Sequence, residues 1–145
     1  MLKEYEKSIT QLNELEDDHS DDLMLLSHKC WVLHKLHFFE SAVEYCEKVL
    51  HERSDDERIP KAYSLSLTLL GRSAEALPFH QKLYEAHPDD IPTIINYGIT
   101  LSDVGQKQEA LNVYNKGLEK FENHQVITNN KNVLCMKNPE LNCTE

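Results

Sequence analysis

Several things are scarce in this sequence, and each shortage closes a class of function. No apolar run approaches the ~20 residues that a membrane span needs, so no membrane span is expected. The first twenty residues, MLKEYEKSITQLNELEDDHS, alternate charges and lack the apolar core of a signal peptide, which points to a cytoplasmic place of work. Basic charge is scarce as well: 15 Lys and Arg stand against 25 Asp and Glu, a net charge of −10. A nucleic-acid partner usually demands a basic face, so none is expected. The acid is uneven, with a net of −8 in residues 1–60 and −2 in the rest. That could meet a basic partner, but a solvated face that keeps the chain soluble is the better account. There is no Gly-rich phosphate loop, no G-x-S-x-G elbow and no H-E-x-x-H pair, which leaves no catalytic residue, cofactor or metal to name and no ground for an enzyme. Cys30, Cys46, Cys135 and Cys143 contain no C-x-x-C pair, and the first two fall inside helical patterns, where a thiol behaves as a small hydrophobe. A reduced chain without disulfides is the expectation.

Glycine is the most telling scarcity. Two of only four glycines open the same pattern, GRSAEAL at Gly71 and GQKQEAL at Gly105, 34 residues apart. Sliding the chain by 34 aligns Ala42, Ala76 and Ala110; Leu33, Leu67 and Leu101; Leu36, Leu70 and Val104; Leu50, Tyr84 and Leu118; and His37, Gly71 and Gly105. Five columns in one register define an internal repeat. With 40% hydrophobic residues and the length of one ordinary domain, the chain has material for a core. Each unit reads as two helices. In the third, Ile91, Ile94, Ile95, Gly98, Leu101 and Val104 recur every three or four residues, Gly105 turns the chain, and Ala110, Leu111, Tyr114, Leu118 and Phe121 form a second stripe. Asp89–Asp90 and Pro92 suit the start of its first helix, and Asp17–Asp18, Asp21–Asp22 and Asp55–Asp56 read the same way before other helices. In the second unit Pro78 is expected within about the first turn of its helix, where proline costs least. The recurring alanines, with Gly98 and Gly117, let helix axes approach closely.

The period, the helix–turn–helix unit and these columns resemble the tetratricopeptide repeat family. The third unit carries Tyr97-Gly98, Leu101, Gly105, Ala110 and Tyr114; the second carries Tyr63-Ser64, Leu67, Gly71, Ala76, His80 and Pro88; the first carries Lys29-Cys30, Leu33, His37, Ala42 and Cys46. The family's early Trp is replaced by Leu26, Pro60 and Ile94, and the first unit lacks the turn Gly and the closing Pro. The resemblance implies an all-α fold, a right-handed superhelix of three stacked hairpins with a flanking helix at each end. Within one domain over 1–145 the boundaries are a flanking helix at 1–18, repeats at 23–56, 57–90 and 91–124, a capping helix at 125–137 and a frayed tail at 138–145. Leu2, Tyr5, Ile9, Leu12 and Leu15 form the stripe of the first flanking helix, and Val126, Val133 and Met136 that of the last. Such end helices either cap an array or mark a stretch of a longer one.

Eight histidines invite a search for metal or base chemistry. Cys30, His34 and His37 share one helix at i, i+4 and i+7, yet Cys30 stands in the close-packing column with Ser64 and Gly98, so packing explains it better than ligation. Cys46 and His80 share a core column with Tyr114. The resemblance implies instead a concave groove lined by the first helix of each unit, with Met24, Ser27, Trp31, His34, Lys61, Leu65, Leu69, Ile95, Asn96 and Ile99 as its candidate residues. Family members that clamp acidic C-terminal peptides use Lys, Asn and Arg there; this chain has Ser27, Trp31, Ala62 and Pro92, and only Asn96 suits that role. The apolar columns point to a protein or peptide partner with an apolar segment, or to a second copy of the chain covering the groove as a homodimer. A small secretion-type chaperone for an aggregation-prone partner, and an accessory domain of a larger glycosyl- or sulfotransferase, are the alternatives.

Overall fold

In the computed structural model α-helices begin at side-chain caps at Asp22, Asp90 and His124, and left-handed residues follow three helices at His37, Gly71 and Gly105; the structure describes residues 2–16, 22–50 and 57–143. Among these residues there are eight α-helices and no strand: α1 (Leu2–Glu16), α2 (Leu23–Lys35), α3 (Phe39–Leu50), α4 (Arg58–Leu69), α5 (Ser73–Ala86), α6 (Ile91–Asp103), α7 (Lys107–Lys120) and α8 (Gln125–Lys137). Asp22 accepts hydrogen bonds from the amides of Met24 at 2.8 Å and Leu25 at 3.3 Å, and Asp90 accepts from the amide of Thr93 at 3.2 Å, satisfying donors that a helix start leaves free. Pro92 lies in the first turn of α6. The caps expected of Asp17, Asp18, Asp21, Asp55 and Asp56 lie outside the described residues, as do the side chains of Leu2 and Leu15. Pro78 departs from expectation: α5 begins at Ser73, so the proline is the sixth helical residue and sits in the second turn.

The three hairpin turns are one structure repeated. Gly71 and Gly105 have φ of +76° and +85°, and His37 takes the same left-handed conformation at +66° although it is not glycine. In each, the residue after the turn donates its amide across the helix end: Phe38 to the Leu33 carbonyl at 3.0 Å, Arg72 to Leu67 at 2.8 Å and Gln106 to Leu101 at 2.8 Å. This six-to-one bond closes a helix only if the intervening residue has positive φ. An L-residue there costs about 1–2 kcal/mol, which the first hairpin carries at His37.

By its internal contacts the chain divides into two units, one ending at Arg72 and the other beginning at Ser73, so the boundary falls in the turn of the second repeat. The two have the same plan. In the first, α1 packs on α2, and α2, α3 and α4 pack mutually; in the second, α5 packs on α6, and α6, α7 and α8 pack mutually. Equivalent residues lie 68 apart. Ala42 and Ala110 are wholly buried at the tight crossings, and Leu33, Leu67 and Leu101 are buried one turn from the helix ends. In the first unit Leu12, Leu25 and Val32 form a core cluster against which Tyr5, Ile9 and Leu36 pack. In the second, Ile94, Tyr97, Leu101, Leu111 and Tyr114 belong to a larger one.

Three expectations are overturned here. The cysteines are not reduced: Cys30 bonds Cys46 between α2 and α3, and Cys135 bonds Cys143. The first pair forms because the close-packing column of one helix faces the core column of the next, with the two Cα atoms only 4.9 Å apart. At the equivalent place in the second unit a glycine faces a tyrosine, Gly98 against Tyr114, and a Cβ on Gly98 would lie 2.4 Å from Tyr114 Cε1. Second, α8 packs through Ile127 and Leu134, while Val126, Val133 and Met136 are exposed. Ile127 falls 68 residues after the equally buried Ile59, so the repeat register sets its inward face. Third, the tail is not frayed as far as residue 143. Asn138 is buried and donates to the Leu134 carbonyl at 2.7 Å, Leu141 and Cys143 pack on the core of the second unit, and Glu140 pairs with Lys107 at 3.5 Å.

Candidate functional site

Of the candidate groove residues, seven lie in the first unit. Trp31 on α2 and Leu65 on α4 are half-buried and stand beside the packing stripe. Trp31 is covered on one face by Lys35, whose Nζ sits 4.2 Å from the ring centroid, a cation–π contact. Leu69 is 61% exposed on the last turn of α4. Met24, at 79% exposure, lines an open cleft of about 340 Å³ between α1 and α2 together with Ser8, Gln11 and Leu12. Ser27 turns its hydroxyl back to the Leu23 carbonyl at 2.6 Å, and Lys61 forms an exposed ion pair with Glu57 at 3.9 Å.

His34 is placed differently from the others. It is buried, shares a 2.9 Å hydrogen bond between Nδ1 and Ser66 Oγ, and lies among the rings of Trp31 and Phe39. Burial, then the charge of Lys35, then His37, lower its pKa from the ordinary 6.5 to about 4. A neutral histidine tying α2 to α4 is a packing element, not an open contact. The packing account of Cys30 over ligation is matched by its sulfur being bonded to Cys46, which leaves no thiolate beside His34. Among the described residues there is no cluster of three or more metal-ligating side chains.

In the second unit Ile95, Asn96 and Ile99 lie half-buried along α6. Ile99, Val133, Leu134 and Tyr114 supply apolar surface to a cavity of about 120 Å³ lined by α6, α7 and α8. Ser102, Asp103, Asn130 and Lys137 bring polar groups to it. Asp103 also accepts a hydrogen bond from the Ser73 hydroxyl at 2.9 Å, and Asn130 Nδ2 donates to the Val126 carbonyl at 2.9 Å. Tyr114 is 1% exposed, and its hydroxyl has no hydrogen-bond partner among the described residues. Its pKa is pushed far above the ordinary 10.0 by burial first and by the Asp103 charge second. The sequence reading placed Tyr114 in the core and did not count the cavity it floors. The signal was present in the small Ser102 and Ile99 standing where the first unit has His34 and Trp31.

Comparison with known proteins agrees with this architecture. A family model described as tetratricopeptide repeat matches residues 4–123. No curated protein matches the chain. Among solved structures, YrrB, described as a TPR protein with an unusual peptide-binding site, superposes with a TM-score of 0.84 at 18% identity, covering 97% of this chain and 73% of its own. A MamA structure from AMB-1 superposes at 0.81 with 18% identity, covering 93% and 74%. MamA residues 41 to the end from Desulfovibrio magneticus RS-1 superposes at 0.71 with 15% identity, covering 95% and 88%. At such identities the likeness speaks to the fold. With the repeated left-handed turns, the buried alanine column and a family match over most of its length, the chain belongs to the tetratricopeptide repeat family.

Proposed function

We propose that this protein is a non-catalytic interaction module that docks an apolar peptide or helix on the faces flanked by α2 and α4 in one unit and by α6 and α8 in the other. The observation that carries this reading is one apolar column, Trp31, Leu65, Ile99 and Val133, repeated every 34 residues and left partly open beside a fully buried stripe. A large aromatic in a partly open setting is the usual makeup of a binding hot spot. The likeness to YrrB supports a peptide as the occupant. No helix among the described residues is long and apolar enough to cross a membrane. The expectation of a cytoplasmic place rested on the charged first twenty residues, and disulfides are rare in that compartment.

Trp31 is the chain's one tryptophan, so its fluorescence reports on this face directly. Peptides selected on the full chain from a random displayed library should be rich in apolar residues and should shift Trp31 emission to the blue. Trp31→Ala and Ile99→Lys should each weaken those peptides by about 2 kcal/mol or more while keeping the helical circular-dichroism signal. Leu67→Ala, in the core, should unfold the chain, and Lys116→Ala, exposed on α7, should do little. Undiminished binding by both face variants refutes the reading. If they melt as Leu67→Ala does, the face is core.

A further inference from the structure

The two units share a plan but not a surface. In the first unit, the space between the equivalent helices is filled by the chain itself: His34 reaches across to Ser66, and the Trp31 ring lies alongside it under Lys35. Sixty-eight residues later these positions are Ser102, Leu134, Ile99 and Asp103. Two large rings have become a hydroxymethyl and an aliphatic branch, and a cavity of about 120 Å³ stands open in their place. The floor differs too. Cys46, whose sulfur is consumed in the disulfide, corresponds to Tyr114, which passes into the room left by Gly98 and faces the cavity.

A tyrosine hydroxyl that is nine-tenths buried normally finds a partner, because leaving it unmatched costs about 1–3 kcal/mol. Tyr114 has none among the described residues, yet no buried side-chain oxygen there is sealed off without a partner, so its hydroxyl stays accessible where the residue lines the cavity. The phenol keeps its proton across the physiological range, so it offers a donor. Asn130 lines the same cavity and donates through its amide nitrogen to Val126, which leaves its carbonyl oxygen as an acceptor. The rim carries one anion, Asp103, and one cation, Lys137. A carboxylate entering here would meet Asp103, and an ammonium would meet Lys137. A neutral tip that is donor and acceptor at once meets neither penalty and matches both Tyr114 and Asn130. The volume admits one side chain and not a cofactor, since pockets for small-molecule ligands begin at roughly 300 Å³.

We infer that the cavity between α6 and α8 is a specificity pocket for a single carboxamide side chain, a glutamine or asparagine of the docked peptide. The amide carbonyl accepts from the Tyr114 hydroxyl and the amide nitrogen donates to Asn130 Oδ1, while Ile99 and Val133 hold the methylene stem. This deepens the peptide-docking reading and rests on it only for the source of the side chain.

The test is an NMR titration of the full chain with N-acetylglutamine methylamide, compared with the corresponding glutamate, lysine and leucine derivatives. The glutamine derivative should give saturable shifts centred on Ile99, Tyr114 and Asn130, with a Kd at least about fivefold below each comparator, the worth of one neutral hydrogen bond. Tyr114→Phe removes only the hydroxyl and should raise that Kd about fivefold with the fold intact. Ser102→His, which installs the first unit's filler, should abolish the shifts. Equal affinity for all four derivatives, shifts centred elsewhere, no saturable binding, or a Tyr114→Phe variant that binds as well as the parent would each overturn the inference. Ile99 belongs to both sites, so Trp31 separates them: loss of the pocket alone leaves the Trp31→Ala peptide effect standing, and failure of the docking faces leaves the fragment binding and its loss in Tyr114→Phe standing.

Discussion

Gly98→Ala is the sharpest single probe of how α6 and α7 are held together. Alanine is the better helix former by about 1 kcal/mol, so on an exposed helix the change would stabilise. Here the added Cβ would lie 2.4 Å from Tyr114 Cε1, 2.5 Å from Cζ and 2.8 Å from the hydroxyl oxygen. Such separations are far inside van der Waals contact, and the ring is 1% exposed and packed in the core of the second unit. Either the helices part or the ring leaves its rotamer, and overpacking as severe as this falls in the upper part of the usual range, about 2–3 kcal/mol. The net expectation is a loss of about 1–2 kcal/mol. Tyr114→Leu alone should cost about 2–3 kcal/mol for the emptied space. In that background, however, Gly98→Ala meets no ring and should recover its propensity gain of about 1 kcal/mol. The double-mutant cycle should therefore show coupling of about 2–3 kcal/mol, read from urea unfolding followed by helical circular dichroism. A Gly98→Ala variant as stable as the parent, or equal effects in the two backgrounds, would show that the close approach of α6 to the Tyr114 ring does not control the crossing.

The lowered pKa of His34 gives a pH dependence whose sign is fixed. The folded state resists protonation down to about pH 4 while the unfolded chain takes the proton near 6.5, so the contribution is whole above 6.5 and falls away as the pH drops between those values. Urea midpoints of the parent should fall over that window more steeply than those of His34→Gln; parallel profiles would refute the assignment. The disulfides should differ in access. Cys30 and Cys46 are wholly buried, whereas Cys135 and Cys143 are half-buried near the chain end, so a dithiol should open the second bond first and the first only with unfolding. Mass spectrometry after alkylation at increasing reductant would show the order, and free thiols in the untreated protein would contradict both bonds.

What the sequence determined by itself was everything local or periodic. A 34-residue register places the helices, the two glycine turns, the buried alanines and the Asp22 and Asp90 caps, because each depends on neighbours within a few positions of the chain. The register also foretold the inward face of α8 through Ile59 and Ile127, although the stripe read directly from the helix pointed to Val126, Val133 and Met136. What only the tertiary structure decided depends on residues about 16 to 34 positions apart meeting at a given distance. Cys30 and Cys46 read as two small hydrophobes until their helices bring them together. His34 reads as a groove residue until Ser66 is found within hydrogen-bond reach. Periodicity assigns a side chain to a face, but the space left on that face depends on the volumes of all the residues meeting there. That is why the filled pocket at His34 and the open one at Tyr114 share one pattern and differ in what they can hold.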